Sequence, residues 1–127
     1  MGQCKMQLQQ YKEAVIYFGN VVRQKPKNSA GWEALIKCLF SGEYYEEALE
    51  QCIAASKATD GKPIFVFYFS AALFYLGKNK EALLQLEKAM ELTPKLLKKF
   101  IDLHPAILQN SSVVDIIARH KKGKKFN

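Results

Sequence analysis

The chain has 127 residues, of which 49% are hydrophobic and 24% are charged, and its formal net charge is +7. This composition excludes an intrinsically disordered segment, and the length suits one domain with a continuous core. The sequence lacks both a signal-peptide pattern and an uninterrupted apolar run of about 18 residues, the minimum for a membrane helix. We therefore expect a cytoplasmic protein that does not associate with a membrane.

A period of 34 residues organises the chain up to residue 94. Ala14, Ala48 and Ala82 are spaced 34 residues apart, and a glutamate precedes each of them. Apolar side chains follow each alanine after four and after seven residues: Phe18, Cys52 and Leu86, then Val21, Ala55 and Ala89. A small residue where two helices cross lets their backbones approach closely, so the frame predicts packed helix pairs.

A 34-residue period built from short amphipathic helices resembles the tetratricopeptide repeat over residues 1 to 94. The resemblance implies an all-α fold, a right-handed α-solenoid of antiparallel helix pairs, whose units must stack to bury their apolar faces. The expected units are residues 1–26, which form a truncated first unit, residues 27–60 and residues 61–94. Residues 95–127 are expected to form a degenerate helical cap and a basic tail.

Unit one (1–26) is incomplete. Its second helix is predicted over residues 11–23, which leaves only residues 1–8 for the first helix. We favour the interpretation that the chain is a fragment of a longer repeat protein; the alternative is that Met1 begins a frayed edge. The truncated unit also leaves self-association open.

Units two (27–60) and three (61–94) each predict a helix pair. Trp32, Leu35, Ile36 and Leu39 recur at the spacing of one helix face, Ser41-Gly42 breaks the pattern, and a second helix runs from Tyr45 to near Asp60. Unit three predicts helices over 63–76 and 80–92. Its aromatic stretch 64–69 has the composition of a buried strand, but the apolar run is longer than a typical strand, so we predict a helix.

The period fails after Pro94. A helix over 95–103, a bend at His104-Pro105, a short turn through Gln109 and a last helix with Ser111 or Ser112 as N-cap are predicted. Solenoids need atypical ends to cover the last repeat, so this segment is expected to be a cap.

Nothing in the sequence predicts catalysis, a metal site or a cofactor. Cys4, Cys38 and Cys52 have no paired spacing, so we interpret them as partly buried apolar residues. His104 and His120 lack ligand spacing. The chain also has no Gly-rich phosphate loop and no nucleophile motif, so we expect a protein that is not an enzyme.

Most of the excess positive charge lies at the C-terminus. Five basic residues fall within the last nine positions, leaving +2 for the rest of the chain; they are Arg119, Lys121, Lys122, Lys124 and Lys125. Such a tail binds phosphate backbones nonspecifically, but it also suits the negative end of a helix dipole and keeps a terminus soluble. We favour a solvated tail, with nucleic-acid binding as the alternative.

The resemblance implies a concave groove that holds an extended peptide or a partner's helix. Its partner-binding residues are predicted to be Lys37, Phe40, Phe67, Tyr68, Ala71, Phe74 and Tyr75. Further lining positions are Gln3, Met6, Gln7, Glu33, Ala34 and Ile64. One subclass of the family grips C-terminal carboxylates, but the matching places here hold Gln3, Ala34, Ile64 and Tyr68, so we expect no such clamp. Either the cap covers the aromatic residues through Leu96, Phe100 or Leu103, or they form a ligand groove.

The predicted function is a noncatalytic scaffold that binds a protein or peptide partner. Two alternatives stay open: an adaptor that associates with nucleic acid through the basic tail, and a regulatory module of a larger enzyme.

Overall fold

A computed structural model describes the backbone of residues 2–125 and the side chains of residues 10–120. Over these residues the chain is all-α, with seven α-helices, two 3-10 helices and no strand. The α-helices are α1 (Gly2–Gln24), α2 (Ser29–Ser41), α3 (Tyr45–Ala58), α4 (Pro63–Tyr75), α5 (Asn79–Leu92), α6 (Leu97–Leu103) and α7 (Ser111–Lys125). The 3-10 helices are Pro94–Leu96 and Pro105–Gln109. None of the described helices is long and apolar enough to cross a membrane.

Helix α1 differs from the prediction for unit one. It is one continuous helix of 23 residues, whereas the sequence suggested a break between Leu8 and Tyr11. Neither glycine nor proline stands at this point, and Gln9 and Gln10 are good helix formers, so the helix continues. The frame residues of unit one are only half-buried; they are Ala14, Phe18 and Val21.

The same frame positions form the centre of the core in the next two units. Their side chains are at most 1% exposed; they are Ala48, Cys52, Ala55, Ala82, Leu86 and Ala89. Consecutive helices pack on each other, and α4 has α3, α5 and α6 as neighbours as well as α2. Because α4 is surrounded, both of its faces are apolar. Thus Phe65 and Phe67, on different sides of α4, are both buried.

The turns after α2 and α4 are built alike. Tyr44 N–H donates to the Leu39 carbonyl over 2.9 Å, and Lys78 N–H donates to the Leu73 carbonyl over 2.9 Å. In each turn the preceding residue has a positive φ, 64° at Glu43 and 79° at Gly77. Such backbone favours glycine, and only the second turn has a glycine at this position, because Gly42 in the first turn stands one residue earlier with φ −88°.

The segment after α5 divides between two neighbours. Helix α6 packs on α4, whereas α7 packs on α5. The predicted N-cap of the last helix was wrong: Asn110 caps it, its Oδ1 accepting hydrogen bonds from the N–H groups of Ser112 (3.0 Å) and Val113 (3.3 Å). Asparagine ranks with serine as an N-cap, so the sequence alone did not separate neighbouring candidates.

Candidate functional site

The seven predicted partner-binding residues lie on two helices, with Lys37 and Phe40 on α2 and the other five on α4. Lys37 is exposed and Tyr75 is half-buried. The remaining five are buried: Phe40, Phe67, Tyr68, Ala71 and Phe74. That these residues bind a partner stays a prediction.

The additional lining positions are less accessible than an open groove requires. Ile64 is buried, and Glu33 and Ala34 are half-buried. The side chains of Gln3, Met6 and Gln7 lie outside the described residues.

Helix α6 covers the aromatic side of α4. The ring centroid of Phe100 is 6.0 Å from that of Phe67 and 6.4 Å from that of Phe74, and Phe100 is fully buried. Aromatic rings at these separations pack favourably beyond the area they bury. Of the two alternatives drawn from the sequence, this packing corresponds to the cap.

A stack of three rings holds the C-terminal end of α6. Tyr75 lies parallel to Tyr45, with centroids 4.1 Å apart, and stacks on His104 with centroids 3.9 Å apart. The Tyr75 hydroxyl donates a hydrogen bond to the Leu103 carbonyl over 3.3 Å. These contacts tie α3, α4 and the end of α6 together.

Burial shifts the pKa values of the rings in this stack. It lowers the pKa of His104 and raises the pKa of both Tyr45 and Tyr75. The His104 Nδ1 is buried and has no hydrogen-bond partner among the described residues. The closed arrangement therefore favours neutral rings, and it leaves one polar atom unsatisfied.

Glu33 joins α2 to both α4 and α6. Its Oε1 accepts hydrogen bonds from the Tyr68 hydroxyl and from Lys99 Nζ, each over 3.2 Å. The Glu33 side chain is 18% exposed and that of Lys99 is 48% exposed. Burial, and next the Glu33 charge, raise the pKa of Tyr68. The carboxylate is thus a partly desolvated negative charge on the inner side of α2.

An open cavity of about 390 Å³ lies where α2 meets α6. Lys37, Phe40 and Ser41 line it from α2, and Lys99, Asp102 and Leu103 line it from α6. It combines apolar walls with charges of both signs, which suits an inserted side chain of a partner.

Other clusters offer less chemistry. No group of three or more His, Cys, Asp or Glu side chains that could hold a metal ion occurs among the described residues. Burial raises the thiol pKa of Cys38 and of Cys52, which disfavours the reactive thiolate. Cys4 lies outside the described side chains.

Sequence reasoning gave Phe100 as one residue that could cover the aromatic side of α4, but it missed the contact of α6 with Glu33. Lys99 and Glu33 are 66 residues apart, and Lys99 belongs to the segment where the 34-residue frame no longer applies. A local pattern carries no information about such a contact. The only sequence signal was the second apolar face of α4, which requires something to cover it.

Comparisons with known proteins agree with the repeat pattern. The family model of the tetratricopeptide repeat matches residues 1–28. No curated protein matches the chain. Repeats of this family generally mediate protein–protein interaction and generally act as noncatalytic scaffolds. The matched repeat and the seven helices of the described residues support a tetratricopeptide-like helical repeat protein.

Proposed function

We propose that the protein is a noncatalytic scaffold that binds a peptide or a partner's helix along its concave face. In this proposal residues 1–94 form a right-handed solenoid of antiparallel helix pairs, in units 1–26, 27–60 and 61–94, and residues 95–127 close it. The observation that carries the proposal is the cavity between α2 and α6, at which Lys37 and Phe40 meet charged side chains of α6.

The cavity supplies both affinity and orientation for such a partner. An apolar side chain entering it would contact the Phe40 ring and Leu103, while Lys37 and Asp102 offer a donor and an acceptor at its rim. In this proposal the five predicted residues on α4 form the floor of the groove. A few anchors in such a pocket supply most of the binding energy of an interface.

A charge reversal tests the site. Peptides are selected against the protein from a displayed random library, and the Kd of the best binder is measured for the wild type and for Lys37→Glu. Lys57→Glu is the matched control, because Lys57 is exposed and lines a separate cavity that shares no residue with the first. We expect Lys37→Glu to weaken binding and raise the Kd at least about tenfold. Lys57→Glu should leave the Kd within about twofold of the wild-type value.

Two outcomes would refute the proposal. Equal effects of the two variants, with circular dichroism showing both folded, would place the binding surface elsewhere. A library that yields no binder at all would count against a peptide groove.

The alternative function through the basic tail has no comparable support. The side chains of residues 121–127 lie outside the described residues, and Arg119 forms an ion pair with Glu87 over 2.8 Å. Nucleic-acid binding, self-association through unit one and a cytoplasmic location all stay predictions.

A further inference from the structure

We propose that α6 is an internal ligand of the groove, and that the partner which replaces it is a short amphipathic helix carrying a lysine followed directly by an aromatic residue. This inference rests on the proposed function, because it names the ligand class and the regulation of the same site. The cavity between α2 and α6 belongs to the closed state, in which a partner makes its first contact, and in the bound state the partner's helix takes the place of α6.

The aromatic, hydrogen-bond and ionic contacts of α6 with α2 and α4 are made with residues of the predicted groove. Phe100 packs on Phe67 and Phe74, and the Leu103 carbonyl accepts the hydrogen bond of Tyr75. Lys99 reaches across to Glu33 on α2. Helix α6 thus contacts both α2 and α4 through the side chains that the sequence assigns to partner binding.

Helix α6 is built as a separable element. It has seven residues, its N-cap Leu96 makes no side-chain capping bond, and 3-10 helices that begin with Pro94 and Pro105 flank it. Helices of this length are marginal in water without tertiary contacts. Its place in the groove therefore depends on the contacts that a competing helix would replace.

The rest of the cap has its own attachment. Helix α7 packs on α5, where Arg119 pairs with Glu87 over 2.8 Å and where Val113 and Ile116 are buried. The contacts that hold α6 are made instead with α2 and α4. Displacement of α6 consequently leaves the α5–α7 contact in place.

The groove left behind defines the ligand. Phe67 and Phe74 would be exposed if α6 left alone, so the replacement must bring a bulky apolar side chain, as Phe100 does. Glu33 would keep only its bond from Tyr68, which selects a cation such as Lys99 and rejects an acidic residue. Leu103 adds an apolar contact three residues after the aromatic position.

Fluorescence anisotropy with a labelled peptide tests this inference. The probe has the sequence of residues 95–104, and it is titrated with the full chain as wild type and as Phe100→Ala. We expect weak binding to the wild type, whose groove is occupied, and at least about tenfold tighter binding to Phe100→Ala. A probe with glutamate at the Lys99 position should lose this gain. Equal affinity for the two chains would overturn the proposal.

A second pair of variants covers the case in which Phe100→Ala does not fold. Lys99→Ala removes the Glu33 contact from a half-exposed side chain, and Lys98→Ala is the matched control on the exposed side of the same helix. The first should raise probe affinity several-fold, and the second should leave it unchanged. Val113→Ala, in the buried part of α7, should also leave it unchanged, whereas a gain there would indicate general loosening instead of release of α6.

The results separate this inference from the proposed function. Library-selected peptides that depend on Lys37, combined with a probe affinity that no α6 variant changes, would retain the function and refute the internal ligand. A probe that binds Phe100→Ala tightly, combined with selected peptides that ignore Lys37, would support the internal ligand and refute the site assigned to Lys37.

Discussion

The hydroxyl of Ser70 donates a hydrogen bond to the main-chain carbonyl of Ala82 over 2.7 Å, and both residues are fully buried. A serine on α4 reaches the backbone of α5 only because the two helices pass closely there. Ala82 is one of the frame alanines, and Ala48 is equally buried one period earlier. The period of the sequence therefore marks places where helix backbones approach each other.

Enlarging a frame alanine should destabilise the fold. Ala82→Leu adds three carbons at a fully buried helix contact, and we expect the free energy of unfolding to fall by about 1–3 kcal/mol. Denaturant unfolding measures it. Glu81→Leu, at the exposed neighbouring position, is the control and should cost much less. A neutral Ala82→Leu would show that the close contact is misplaced.

A substitution in the turn after α2 should stabilise the protein. Glu43 has φ 64° in a turn whose counterpart uses Gly77 at φ 79°, so Glu43→Gly should stabilise the protein by about 1 kcal/mol. Glu43→Gln removes the charge without relieving the backbone and should not reproduce the gain. Gly77→Ala should have the opposite sign. Thermal melts of the three variants decide whether backbone conformation is the cause.

The stability of the closed α6 should depend on pH through His104. Burial holds the pKa of His104 below its ordinary 6.5, so the folded state binds fewer protons than the unfolded state near that pH. The stability that neutral His104 contributes is complete above pH 6.5 and is lost as the pH falls through the folded-state pKa of His104. Among the described residues, the His104 ring stacks on the ring of Tyr75, which in turn stacks on the ring of Tyr45.

His104→Phe keeps a ring in the stack and removes the titration. Between about pH 7.5 and about pH 5.5, the Tm of the wild type should fall further than that of His104→Phe. Carboxylate titration affects both proteins alike and cancels in the comparison. The same fall in both would exclude His104 as the source.

The sequence was sufficient to predict an element or a bend where local residues mark its ends. Helix α4 was predicted over 63–76 and spans Pro63–Tyr75, because Pro63 and Gly77 mark its ends. The bend at His104-Pro105 was predicted for the same reason. Two features were missed. Helix α1 continues because no residue in it stops the helix. The contact between Lys99 of α6 and Glu33 joins residues 66 positions apart, so no local pattern predicts it.

Removing the basic tail separates the two functional hypotheses. Truncation after His120 keeps Arg119, which pairs with Glu87, and the buried Ile116, so helicity and Tm should change little. Any affinity for RNA or DNA should disappear with the tail, because it would come from phosphate contacts that salt weakens. Titrations at low and physiological salt measure it. Affinity that survives the truncation would assign nucleic-acid binding to the helical body.

Tyr68 distinguishes an open groove from a covered one. If the groove were open, Tyr68→Ala would weaken partner binding and hardly change the Tm. The side chain is 0% exposed, so we instead expect Tyr68→Ala to lower the free energy of unfolding by about 3–5 kcal/mol. Tyr68→Phe, which loses only the 3.2 Å bond to Glu33, should cost about 1 kcal/mol because Lys99 still pairs with the carboxylate. Urea unfolding of both variants measures the difference, and a nearly neutral Tyr68→Ala would mean that α6 does not cover this side of α4 in solution.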